Sequence, residues 1–234
     1  ITFVRQIENL DFFEAVKFLA DRVGMQVPAE GYNDSFSRFK KRILEINRET
    51  ARFYHNYMFT PDGKEILDYF TSRKLTPATI KHFGLGASPD GWDKLLRHLK
   101  QKGYTEEEML QANVIIKGRN GRCYDNFRHR AMFPIIDLRG NVIGFGGRAL
   151  PGEDEKGRKY INTADTPVFK KSQNLYALNF AKSSCSKQII LAEGYMDVIA
   201  LHQAGITNAV AALGTAFTDE HASLLSRYTS EIVI

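Results

Sequence analysis

Apolar residues recur at helical spacing through the first half of the chain and gather into short, strand-length runs in the second. Phe12, Ala15, Val16, Leu19 and Val23 share one helical stripe over 11–23, and Gly24 is placed to stop that helix. Ser35 reads as the N-cap of a long amphipathic helix reaching about Met58, with Phe36, Phe39, Ile43, Ile46 and Phe53 on its apolar face. Further helices are expected at 63–73, 77–83, 92–102 and 106–112, and Thr76-Pro77 and Thr105 make good helix starts. After Asn113 the period shortens. Strands are expected at 114–116, 131–138 and 141–150, with Arg139-Gly140-Asn141 as a hairpin turn and 151–159 as a mobile loop. From Lys187 strands and helices alternate: strand 188–192, helix 195–204, strand 209–213, helix 219–227 and strand 231–234. That order argues for a mostly parallel sheet covered by helices. The fold class is therefore α/β: an α+β subdomain of mixed strands and helices, then a partial α/β subdomain with a mainly parallel sheet. The last strand, Ile232 to Ile234, reads as buried, and both ends of the chain read as interrupted.

Composition narrows the picture modestly. The 234 residues are 43% apolar and 25% charged, ordinary for a globular protein. No segment matches a bilayer span or a signal peptide, so the reading is a cytoplasmic chain with no membrane partner. Cys123 and Cys185 are the only cysteines, without CxxC spacing, so no disulfide framework or local zinc site can be built from them. A net charge of +5 points weakly to an acidic partner. Its placement says more, because 117–130 carries five Lys/Arg residues against the single acid Asp125.

Glu193 is the best catalytic candidate. It follows the apolar run 188–192 directly, and carboxylates at the C-terminal end of such a strand face the crevice where ligands bind in open α/β sheets. Gly194 permits a sharp turn, and Asp197 lies one helical turn further on. Two carboxylates with free oxygens suit Mg²⁺. The competing reading is that both simply favour the helix N-terminus. A second constellation is basic and aromatic: Arg122, Tyr124, Phe127, Arg128 and Arg130; then Gly144 to Arg148; then Lys159-Tyr160-Ile161-Asn162 and Phe169-Lys170-Lys171. Cations for phosphates interleaved with rings for bases describe a single-strand groove; a solvated basic face with core aromatics is the alternative. Glycines 152–157 lack the Lys-Ser/Thr and leading strand of a phosphate loop, and 144–147 is no dinucleotide fingerprint.

Glu193-Gly194-Tyr195-Met196-Asp197 with Ala212-Leu213-Gly214-Thr215-Ala216 resembles the start of a Toprim domain. Upstream, Tyr124 to Ile135, Val142 to Arg148 and Lys159 to Asn162 resemble, in order and spacing, the blocks of the RNA polymerase core of bacterial replicative DNA primases. Asn126 stands where that family usually has arginine, and Ala177 where it has glycine. The resemblance implies residues 1–27 as the end of a zinc-binding domain, 28–34 as a linker, 35–186 as the N-terminal part of the core, and 187–234 as a Toprim domain cut before its Asp-x-Asp motif. It implies RNA primer synthesis on single-stranded DNA from ribonucleoside triphosphates, with Mg²⁺ or Mn²⁺ at the Toprim site and Zn²⁺ upstream of this chain. Glu193 would ligate a metal or assist proton transfer, and Asp197 would be a secondary acidic ligand. Arg128, Arg130, Arg148, Lys159 and Lys170 would hold phosphates, with Tyr160 beside them and Asn162 on a nucleotide. The intact enzyme would meet the replicative helicase and single-strand-binding protein, whereas this stretch alone would be inactive. Another Toprim enzyme, a topoisomerase or nuclease, and a non-catalytic single-strand-binding module are the rivals.

Overall fold

A computed structural model describes residues 1–7, 12–25, 34–152, 158–185 and 187–234. The chain divides into two units, residues 1–41 and 42–234. The smaller holds α1 (Thr2–Ile7), α2 (Phe12–Arg22) and the first turns of α3 (Asp34–Met58). Gly24, at φ +67°, ends α2 as expected. Two other expectations fail here. Phe12 and Val23, placed on the helical stripe, lie at the start of α2 and just past its end, and are 56% and 69% exposed. Ser35 is not the N-cap, since α3 already begins at Asp34.

The rest of α3 belongs to the larger unit. Its buried stripe is Ile43, Ile46, Asn47, Thr50, Tyr54 and Met58, whereas Phe53 is only partly covered. Phe36, expected on that face, is exposed. Four short helices follow: α4 (Lys64–Ser72), α5 (Pro77–His82), α6 (Lys94–Gln101) and α7 (Glu106–Gln111). Thr76 caps α5 and Thr105 closes a full capping box on α7, as the pattern predicted.

Two sheets carry the larger unit. The first is antiparallel, in the order β1-β4-β5-β6, built from β1 (Gly86–Ser88), β4 (Arg130–Ile136), β5 (Val142–Ala149) and β6 (Tyr160–Asn162). The turn around Gly140, at φ +88°, joins β4 to β5. A small hairpin, β2 (Ile115–Lys117) with β3 (Cys123–Asp125), stands apart from it. The second sheet is parallel, in the order β8-β7-β9, from β7 (Ile189–Ala192), β8 (Ala209–Ala211) and β9 (Ile232–Val233). Helix α8 (Leu178–Ala181) precedes it, α9 (Tyr195–Gln203) links β7 to β8, and α10 (Asp219–Leu225) leads toward β9. The strand expected to be buried at 232–234 is β9, which among the described residues pairs with β7, and its Ile232 and Val233 are 36% and 41% exposed in this chain. Of the expected loop at 151–159, residues 153–157 lie outside the described residues.

One hydrophobic core joins the two sheets. Phe70 and Phe83 from the helices, Phe133 and Ile135 from β4, and Tyr195, Val198 and Ile199 from α9 pack into a single cluster. The antiparallel sheet and the carboxyl edge of the parallel sheet therefore meet over shared aromatic packing, and a cavity opens at that seam.

Candidate nucleotide and nucleic-acid site

The cavity has a volume of about 380 Å³. Its acidic wall is the turn from β7 into α9, where Glu193, Gly194 and Asp197 line the opening. Both carboxylates are exposed, and among the described residues neither has a hydrogen-bond or ion-pair partner. Asp197 sits in the first turn of α9, where negative charge is favoured, but the N-cap is Gly194 and no side chain makes a capping hydrogen bond. The oxygens are thus available to a ligand. They offer two hard donors, which suits a cation that keeps several waters and takes one or two protein carboxylates. No group of three or more His, Cys, Asp or Glu able to hold a metal occurs among the described residues.

The lining also carries cations. Arg148 at the end of β5, Lys159 just before β6 and Arg73 at the C-cap of α4 all line the cavity. Arg148 is only 5% exposed. Its guanidinium lies 4.8 Å from the Tyr69 ring centroid and 5.9 Å from that of Tyr160, and Nη1 donates to Ala149 O at 3.2 Å. It has no acidic partner among the described residues. A nearly buried guanidinium without a counter-charge is costly unless an anion completes it. Tyr69 lies between two cations, with Arg73 5.6 Å from its centroid, and its hydroxyl is buried with no partner. Burial pushes the Tyr160 hydroxyl pKa up, so this ring stays a neutral wall.

Of the residues expected to contact nucleic acid or nucleotide, Arg148, Lys159, Tyr160 and Asn162 line the cavity together with Glu193 and Asp197. Arg128, Arg130 and Lys170 do not. Arg128 stacks 4.4 Å over Trp92 and 5.2 Å over Tyr124, and Nη1 donates to Asp125 O at 2.6 Å. Arg130 Nη1 is shared among the carbonyls of Gly147, Arg158 and Lys159, and burial lowers its pKa, helped by the charge of Arg128. Lys170 is exposed on the approach to a 3-10 turn at Lys171–Gln173. Phe127, grouped with the base-stacking rings, is fully buried against Phe145 and belongs to the core instead. Sequence reasoning missed Arg73, Tyr69 and Tyr195. Arg73 and Tyr69 ride on a helix far upstream, and no local signal ties them to this site.

Glu193 and Asp197, at the carboxyl edge of the parallel sheet, lie within residues 187–234, which match the family model of the Toprim domain. The family model described as "DNA primase catalytic core, N-terminal domain" matches residues 53–182. A DNA primase of Clostridium acetobutylicum is 43% identical over the whole of this chain, which covers 39% of that relative. The chain belongs to the bacterial DNA primase family. Among solved structures, the RNA polymerase domain of Mycobacterium tuberculosis primase, in complex with a double-stranded DNA oligomer with a 6-nucleotide overhang, superposes with a TM-score of 0.76 at 38% identity. That match covers 80% of this chain and 59% of the other. A DnaG primase catalytic domain bound to single-stranded DNA gives 0.75 at 36% identity, over 84% of this chain and 63% of the other. The chain therefore spans about two fifths of the length of the curated relative and about three fifths of these structures.

Proposed function

We propose that this chain is the nucleotide- and template-holding part of an enzyme that copies single-stranded DNA into short RNA primers from ribonucleoside triphosphates. The observation that carries the reading is the cavity itself, lined by a nearly buried, unpaired Arg148 and by two unpartnered carboxylates, Glu193 and Asp197. A triphosphate presents charge of the sign Arg148, Lys159 and Arg73 would take. Glu193 and Asp197 would hold a divalent cation, Mg²⁺ or Mn²⁺, which when bound would offset charge on the reacting phosphate and favour ionisation of the attacking hydroxyl. Arg148 and Lys159 would fix the phosphates, and Tyr69 and Tyr160 would keep water from their flanks. Lys170, with Arg128 and Arg130 outside the cavity, would track the template backbone, the role that fits the DNA-bound relatives. In the intact protein the work would proceed in the cytoplasm, with an upstream zinc-binding domain and with the replicative helicase and single-strand-binding protein as partners.

The test is a primer-synthesis assay with the full-length protein, labelled ribonucleotides and a single-stranded template, with and without Mg²⁺ or Mn²⁺. Metal-dependent, template-dependent RNA is expected, and Glu193→Gln should abolish it while oligonucleotide affinity stays within about twofold, because the substitution removes charge and not volume. Tight binding by the wild type with no synthesis would replace this reading by that of a binding module. Priming by Glu193→Gln within a few-fold of wild type would remove Glu193 from the chemistry.

A further inference from the structure

Three segments converge on the cavity: β6, the turn from β7 into α9, and the exit from β8. They are tied at one side chain. Asn162 Oδ1 accepts from the Tyr195 hydroxyl at 2.8 Å, and Asn162 Nδ2 donates to Leu213 O at 2.8 Å. Tyr195 is the first residue of α9 and lies two positions after Glu193, so the first bond anchors the acidic turn to the antiparallel sheet. The second anchors the loop after β8, which lines the same cavity through Gly214.

Packing makes the tie rigid. The Tyr195 ring is 5% exposed, stacked on Phe133 at 5.0 Å and 16°, and edge-on to Tyr176 at 4.6 Å. It lies over the Gly146–Asn162 pair of β5 and β6. A Cβ at Gly146 would fall 2.5 Å from the ring, so only glycine admits Tyr195 there. On the other side, a Cβ at Gly214 would fall 2.7 Å from Asn162 Nδ2, and Gly214 itself is at φ +72°. The two glycines thus let the three segments approach until the Asn162 amide bridges them.

We propose that Asn162 and Tyr195 are positioning residues: a latch that sets the distance between the Glu193–Asp197 edge and the cations lining the cavity, with the Asn162 amide spent on protein groups and not on the nucleotide. The proposal rests on the functional reading above for its activity readout, but its metal-binding readout does not. Loss of the latch lets the turn after β7 drift, so the carboxylates no longer converge on a cation held against the phosphates. The rings and cations that grip the substrate stay where they are. The latch therefore belongs to the turnover step and to metal affinity, with substrate affinity set elsewhere.

The experiment uses full-length Tyr195→Phe, Asn162→Ala and the double variant. Four quantities are read: kcat for priming, KM for ribonucleotide, the dissociation constant for a single-stranded oligonucleotide, and the affinity for Mn²⁺ alone from the resonance of the free ion. Tyr195→Phe keeps the ring and its stacking and removes one hydrogen bond. It should lower kcat about tenfold, the worth of one buried hydrogen bond, and weaken Mn²⁺ several-fold. Ribonucleotide KM and DNA affinity should stay within about twofold. The double variant should be no worse than Asn162→Ala alone, because that substitution already leaves the Tyr195 hydroxyl without its partner. A raised ribonucleotide KM in Asn162→Ala but not in Tyr195→Phe, or effects that multiply in the double variant, would overturn the latch and put Asn162 on the nucleotide. Unchanged kcat and Mn²⁺ affinity in Tyr195→Phe would overturn it as well. If Asn162→Ala does not fold, the Tyr195→Phe pair of readouts decides. If the wild type makes no primer, the functional reading falls while the Mn²⁺ comparison still judges the latch.

Discussion

Removing the Asp125 carboxylate should loosen helix α6 and the Trp92–Arg128 stack together, with a magnitude that follows from its contacts. Asp125 is 1% exposed, and its two oxygens accept from Leu95 N–H and Leu96 N–H at 2.9 Å each. These are orphan donors in the first turn of α6, whose own N-cap residue, Asp93, makes no side-chain cap. Asp125 N–H also donates to Trp92 O at 2.7 Å, and Arg128 donates to Asp125 O. Asp125→Ala leaves two buried donors without acceptors, at about 1–3 kcal/mol each, so a local loss of roughly 2–6 kcal/mol is expected. Opposing this, burial holds the Asp125 carboxyl pKa up at about 6, above the ordinary 3.8, even though the two N–H groups pull it down. The folded protein therefore holds the proton more tightly than the unfolded chain between those values. Stability from this group falls as pH rises from about 4 to about 6 and is level above, by up to roughly 3 kcal/mol. Asp125→Asn should abolish that slope, and its amide can satisfy only one of the two donors. Amide hydrogen exchange at Leu95 and Leu96, corrected for intrinsic rates and followed from pH 4.5 to 7, measures both effects. Unchanged protection in Asp125→Ala would show that something else caps α6. A wild-type stability that rises with pH across 4–6 in step with Asp125→Asn would refute the assigned direction.

Three further outcomes are expected. Lys170, Arg128 and Arg130, read as tracking the template backbone, predict that single-strand affinity falls with a log–log salt slope of about −2, and Lys170→Ala should flatten it by about 0.7, measured by fluorescence anisotropy at four salt concentrations. Phe127→Ala should cost about 3–5 kcal/mol through the core cavity it opens, seen as a lowered thermal midpoint, whereas Tyr160→Ala, at the cavity wall, should weaken oligonucleotide or nucleotide binding without altering that salt slope. Ala177 sits at φ +64°, where a side chain costs about 1–2 kcal/mol. Ala177→Gly forfeits about 0.8 kcal/mol of methyl burial, so a small net gain in thermal midpoint is expected.

Much of this molecule is legible before folding. The alternation after Lys187 argues for a mostly parallel sheet, because a helix-length segment between strands lets the chain cross back over the sheet. Glu193 stands out because an apolar strand ending in Glu-Gly must present that carboxylate at the sheet's open edge. Thr76, Thr105 and Gly24 mark their helix ends through bonds and dihedrals that reach only a few residues. What the chain alone leaves undecided is which side chains already have partners. Phe127 looks like a base-stacking ring in the sequence, yet it fills the core, and Arg130 already shares Nη1 among three carbonyls. Asp125 looks like a lone acid in a basic run, yet it caps a helix that begins about thirty residues earlier. Arg73 and Tyr69 carry no signal at all until α4 packs against β1 and brings them into the cavity that Glu193 also lines. Local period and turn chemistry act over a few residues and can be read from spacing. Burial, hydrogen-bond partners and the gathering of charge around a cavity depend on contacts between distant segments, which only the packed core brings together.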